Sequence, residues 1–167
     1  MKINTISQKY IVSFSECNYF GYMKLQACLR LFENARFLVS EKANIQDFFM
    51  ELHRSKYAEI SHINSEDEFF TMPVIENVIS CHTQIRIGEK IKVHTWLEEP
   101  IGSYCTFHHY ITSDDNKKVF ISCQTKIVLL GEKSGLKINL PNVLNERILD
   151  FIRNMKSYDQ IEVDDGI

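Results

Sequence analysis

Residues 8–15 alternate, with Tyr10, Val12 and Phe14 on one face and Ser13 and Ser15 on the other, the period of a half-buried strand. From residue 23 to residue 43 the chain has no Gly or Pro and is rich in Leu, Ala and Phe, which fits a helix far better than a strand. Wound at about 100° per residue, this stretch gathers Gln26, Arg30, Glu33, Asn34 and Glu41 on one face. The remaining arc holds Leu25, Ala27, Cys28, Leu29, Leu31, Phe32, Ala35, Leu38 and Val39, so the pattern predicts a helix covered on several sides. A shorter helix over residues 45–55 follows, with Asn44 as its candidate cap. Residues 57–68 are mixed and fit neither period.

Four strand-like runs come next, over residues 69–85, 90–98, 103–112 and 118–130. Gly88-Glu89, Pro100 with Gly102, and Asp114-Asp115-Asn116 supply turn chemistry between them, so the strands are expected to be antiparallel. After residues 136–140 and Pro141 a helix is expected over residues 143–155, then an acidic and disordered tail over residues 156–167. The order of elements predicts an α+β fold, a single domain over residues 1–155 in which a curled antiparallel sheet packs on one long helix. There is no internal repeat.

Composition narrows the function. A chain of 167 residues that is 44% hydrophobic can bury one sizeable core, and two domains would leave each half near the marginal size. The net charge of −3, with basic residues scattered, argues against nucleic acid or an anionic membrane as partner. The polar N-terminus resembles no export signal and no apolar run reaches the roughly 20 residues of a membrane span, so a cytoplasmic location is expected. The five cysteines are widely spaced without a C-x-x-C pair and read as free thiols. His108 and His109 are adjacent in a strand and so point to opposite faces; no metal site is expected, and no cofactor.

Candidate chemistry concentrates around the first turn. Asn18 stands three residues before Gly21, and Arg36 fifteen after it. On the helical wheel Arg36 lies close to Leu25, Leu29 and Phe32, away from the polar face, so its guanidinium needs either a carboxylate such as Glu33 or a ligand. Asn18 suits an Asx turn or a site, and Glu16 either a turn-stabilising carboxylate or a general base. Cys17 has no histidine near it in sequence to activate it.

Over residues 9–149 the pattern resembles the hotdog fold of the 4-hydroxybenzoyl-CoA thioesterase type: a strand ending in a turn, a glycine, a long helix ending Phe32-Glu33-Asn34-Ala35-Arg36, then the sheet. Gly88-Glu89, Gly102-Ser103 and Leu140-Pro141 match in order. Much of that family carries a catalytic aspartate where this chain has Asn18, and an amide can neither take a proton nor attack a thioester usefully. The thioesterases of enediyne polyketide pathways are similar in pairing an Asn there with a functional Arg near the helix end, positions that fall on Asn18 and Arg36; where an aromatic residue is often seen, this chain has Cys28.

The resemblance implies hydrolysis of an acyl or polyketide thioester of coenzyme A or acyl carrier protein. Asn18 would hold the water or donate to the carbonyl oxygen, Arg36 would stabilise the oxyanion, and Glu16 is the substitute base. Backbone N–H groups around Gly21 could face the thioester, with Phe20, Tyr22, Met23, Cys28 and Phe32 as candidates either for an acyl channel or for plain core. It also implies a homodimer or homotetramer, which would cover an edge strand. A non-catalytic acyl-thioester binding module is the alternative; a hydratase lacks the histidine it needs beside residues 16–21.

Overall fold

The computed structural model describes residues 2–54, 70–131, 133–155 and 159–162; the unplaced stretch 57–68 lies outside them. The chain runs through β1 (Lys2–Ile11), α1 (Leu25–Lys42), α2 (Ile45–Arg54), β2 (Phe70–Thr71), β3 (Val74–Cys81), β4 (Lys90–Leu97), β5 (Tyr104–Ser113), β6 (Val119–Val128), β7 (Leu130–Gly131), α3 (Asn142–Asn154) and β8 (Asp159–Glu162). The main sheet is antiparallel in the order β3-β6-β5-β4-β1-β8, and β2 pairs with β7. α1 packs on its inner face, which is the α+β hotdog arrangement expected from the pattern of elements.

The strands follow their alternation. In β4, Ile91, Val93, Thr95 and Leu97 are buried on one face while Lys92 and Trp96 turn to the other, half-buried. Register then aligns Thr95 with His109 of β5 and His109 with Cys123 of β6. Beneath α1 the core forms two clusters. One gathers Val12, Cys28, Leu31, Phe32, Ala35, Ile85, Ile91, Ile111 and Ile121. The other joins the C-terminal half of α1 to α2 and α3 through Val39, Phe48, Leu97, Phe107, Leu144, Ile148 and Phe151.

Several boundaries differ from expectation for local reasons. β1 ends at Ile11, because residues Phe14–Glu16 wind into one turn of 3-10 helix and leave Phe14 exposed. α1 begins at Leu25, since Met23 is held extended by its bridge to Cys17 and its N–H bond to Ile85 O (2.8 Å). Burial on α1 is narrower than the predicted arc: Cys28, Leu31, Phe32, Ala35 and Val39 form one stripe, while Leu25 and Phe37 are exposed. Asn44 has φ 55°, the left-handed conformation that stops α1, and its carbonyl accepts from Phe48 N–H in the first turn of α2. The run 69–85 is cut into β2 and β3 around Pro73, and the run 118–130 breaks at Leu129, whose N–H bonds to Ser103 O. Within the segment expected as a tail, Asp159–Glu162 adds β8 to β1, the strand edge offering unpaired backbone groups there. Among the described residues no helix is long and apolar enough to cross a membrane.

α3 depends on burial for its stability: Leu144 and Ile148 are fully enclosed in the second cluster. Leu144→Ala is expected to lower the unfolding free energy by about 2–5 kcal/mol, measured by denaturant titration.

Candidate active site

Glu16 anchors the turn between β1 and α1. Its side chain is 4% exposed, and both carboxylate oxygens are engaged. Tyr10 OH donates to Oε1 (2.6 Å), Ser13 donates its backbone N–H (2.9 Å) and hydroxyl (2.8 Å) to Oε2, and the Arg30 guanidinium pairs with Oε1. Burial alone pushes this carboxyl upward and is the strongest single influence, but the hydrogen bonds from Tyr10, Ser13 and Arg30 together outweigh it and pull it to about 2 from 4.5. An acid that weakly basic, with its lone pairs occupied, is a poor general base at neutral pH. The geometry is that of a turn-stabilising carboxylate. Arg30, read only as part of the polar face, is its ion-pair partner across 14 residues.

Asn18 is exposed at the tip of this turn. Its Oδ1 accepts two backbone donors, Phe20 N–H (3.0 Å) and Tyr22 N–H (3.1 Å), while its own N–H donates to Tyr22 O (2.7 Å). Because only an amide oxygen can accept from two N–H groups, the assignment of the carboxamide ends is forced. Nδ2 is left as the donor, with no hydrogen bond among the described residues. Gly21 closes the loop with φ 79°, a conformation costing an L-residue roughly 1–2 kcal/mol, and its N–H returns to Asn18 O.

Arg36 lies elsewhere. Leu25 and Arg36 are separated by about 16 Å along α1 at 1.5 Å per residue, so the turn and the arginine occupy different ends of the helix. The Arg36 side chain is 14% exposed; Nη2 is 3.7 Å from Oε1 of the half-exposed Glu33, and the guanidinium stands over the Phe37 ring at 5.7 Å. Burial lowers its pKa, with the charges of Glu33 and Cys123 opposing. The expected Glu33 bridge is therefore present, as a loose contact.

An open cavity of about 380 Å³ lies between the start of α1 and the end of β3, lined by Met23, Leu25, Cys28, Cys81, His82, Thr83, Gln84, Ile85 and Ile121. Met23 and Cys28 were expected to line such a pocket; residues 81–84 were not singled out, since nothing in their pattern distinguishes a strand end facing a helix. Burial pushes the Cys28 thiol up to about 11, with Cys81 adding to it, so it is protonated at neutral pH and acts as an apolar wall. Tyr22 is half-buried with Arg86 over its ring, and Phe20 is exposed with its ring edge-on to Tyr19. Phe32, 2% exposed and stacked on His109, belongs to the core. Among the described residues no group of three acidic, histidine or cysteine side chains is arranged to hold a metal ion.

Because the Glu16 carboxyl is lower in the folded protein than in the unfolded chain, its contribution to stability is fully present above about pH 4.5 and is lost as pH falls towards about 2. Thermal melts over this range are expected to show a steep loss for the wild type and a shallower one for Glu16→Gln, which is also less stable at pH 7.

Comparison with known proteins agrees with this architecture. The model of the thioesterase-like superfamily matches residues 12–148. No curated protein sequence matches. Among solved structures, a 1,4-dihydroxy-2-naphthoyl-CoA thioesterase from Synechocystis superposes with a TM-score of 0.66 at 16% identity, covering 87% of this chain and 96% of that one. The probable thioesterase YbaW of Escherichia coli gives 0.69 at 13% identity, with 88% and 98% covered. The dynemicin thioesterase, a polyene binder, gives 0.65 at 9% identity, with 88% and 96% covered. At these identities the structures speak for the fold, while the sequence match over most of the chain speaks for the family: the protein belongs to the thioesterase-like superfamily, and its enzymatic class is thioester hydrolysis.

Proposed function

We propose that the protein hydrolyses an acyl thioester of coenzyme A or acyl carrier protein, with Asn18 and Arg36 polarising the thioester in place of a carboxylate base. The observation that carries this reading is the clamp on Asn18. With Oδ1 held by Phe20 and Tyr22 N–H, the exposed Nδ2 is preset as a donor to the carbonyl oxygen rather than as a holder of water. Glu16 is spent on the turn, which favours catalysis by charge stabilisation. The cavity bounded by Met23, Cys28 and Ile85 is apolar enough on its helix side to take an acyl group.

The distance between Asn18 and Arg36 within one chain calls for a second subunit. β3 is an edge strand whose Val74, Ile75 and Val78 are exposed, the kind of edge a second copy covers. In the homodimer we propose, Asn18 of one subunit meets Arg36 of the partner subunit. A branch relationship to the enediyne polyketide thioesterases accords with this pair, and the polyene-binding dynemicin enzyme is a structural neighbour. The engaged Glu16 also favours a second reading, a binding module that holds acyl thioesters without turning them over.

The test is release of free thiol and acid from a panel of short, long and aryl thioesters on coenzyme A and on carrier protein. Wild type is expected to turn over, and Asn18→Ala and Arg36→Ala each to lose about 10²-fold in kcat with folding intact. Binding without release selects the module; turnover indifferent to both substitutions removes these residues from the site. Val78→Asp is expected to shift the protein towards monomer in light scattering and to lower turnover with it.

A further inference from the structure

His109 is fully buried, and its Nε2 has no hydrogen-bond partner among the described residues. Its Nδ1 is 2.8 Å from Thr95 Oγ1, itself buried. Leaving a buried polar atom unpaired costs about 1–3 kcal/mol, so a core position that asked only for a flat ring would be better served by phenylalanine. The surroundings point to one group. Phe32 stacks on the imidazole with centroids 5.1 Å apart and planes at 27°. Arg36 follows Phe32 by one helical turn on the same face, and side chains on a helix lean back towards its N-terminus. Cys123, the cross-strand neighbour of His109, feels the Arg36 charge as well.

We infer that His109 is a positioning residue whose Nε2 lone pair accepts a hydrogen bond from the Arg36 guanidinium when that side chain turns from its loose contact with Glu33, a bond this structure does not contain, and so holds the guanidinium towards the thioester. The inference rests on the reading of Arg36 given above. Because a guanidinium only donates, this arrangement makes Nε2 the acceptor and puts the ring proton on Nδ1, which donates to Thr95 Oγ1. Burial first, then the charges of Arg36 and His108, push the imidazole down to about 3, so it is neutral and able to accept at any working pH. A cationic imidazole there would repel the arginine. His108, on the opposite face, bonds instead to Glu98 (2.7 Å) and stacks on Trp96.

The experiment is steady-state kinetics on the best acyl thioester for wild type, His109→Phe, His109→Gln, Arg36→Ala and the Arg36→Ala/His109→Phe double variant, with thermal melts of each. His109→Phe is expected to lower kcat about tenfold or more at unchanged KM, in a variant whose melts show it still folds. His109→Gln, whose amide oxygen can stand where Nε2 stood, is expected to restore kcat to within about threefold. In the Arg36→Ala background His109→Phe should cost less than about twofold, the mark of two residues acting as one unit. A harmless His109→Phe, a Gln variant as slow as Phe, or a full additive loss without Arg36 overturns the inference and leaves the Arg36 reading standing. If Arg36→Ala is itself harmless, that reading fails, and the inference with it.

Should His109→Phe not fold, Thr95→Val, which removes the hydroxyl that holds the ring through Nδ1, is expected to lower kcat at unchanged KM, and an unchanged kcat overturns the inference. Imidazole ¹⁵N NMR gives a readout without turnover. The expected spectrum has His109 protonated on Nδ1, with an Nε2 resonance that moves in Arg36→Ala; a proton on Nε2, or a resonance indifferent to Arg36, overturns the proposal even if the protein only binds thioesters.

Discussion

The carboxylate of Glu16 accepts from Tyr10 on β1, from Ser13 in the turn and from Arg30 on α1, and so ties the first strand to the central helix. The Asn18 half of the proposed site sits on this joint. Lys24 N–H closes onto Glu16 O as α1 begins, and the loop 18–22 hangs from the same turn with Gly21 in its left-handed conformation. A carboxylate bonded to three parts of the chain stiffens the turn from which the loop hangs.

A second constraint runs through the core. The two apolar clusters under α1 are bridged by a polar row across the sheet: Thr95 and His109 are paired, Cys123 follows, and Thr125 donates to Asn77 Oδ1 at the β3 edge (2.7 Å). Polar groups in such a layer favour one register, since slipping a strand by one residue would leave each of them without its partner. The charge of Arg36 reaches His109 and Cys123 of this row; the side chain is partly desolvated, and among the described residues its ion pair is the loose contact with Glu33. A long side chain kept in that position without a tight carboxylate retains its field for something else.

Edge and helix then act together. Among the described residues no strand pairs with the outer edge of β3, whose Val74, Ile75 and Val78 are exposed, and the cavity opens where β3 ends against α1. The exposed aromatic residues Phe14, Tyr19 and Phe20 and the exposed valines and isoleucine of β3 are apolar surfaces that a single copy leaves in water.

Period and turn chemistry in the sequence determined the long helix, the antiparallel strands and the α+β class, because these depend on spacing that any reader of the chain can count, while the hotdog assignment came from the resemblance to a family. Asn18 and Gly21 were legible as a turn for the same reason. Which carboxylate was free was not: Glu16 and Arg30 are distant in sequence, and only folding brings the guanidinium onto the carboxylate. The fates of Phe32 and Tyr22 likewise waited on the tertiary structure, since an aromatic residue on a helix or in a turn reads alike whether it meets a cavity or a core. His109 shows the limit most sharply. Alternation assigned it to the opposite face from His108, but its unpaired nitrogen exists only because β4, β6 and Phe32 of α1 close over it from three sides.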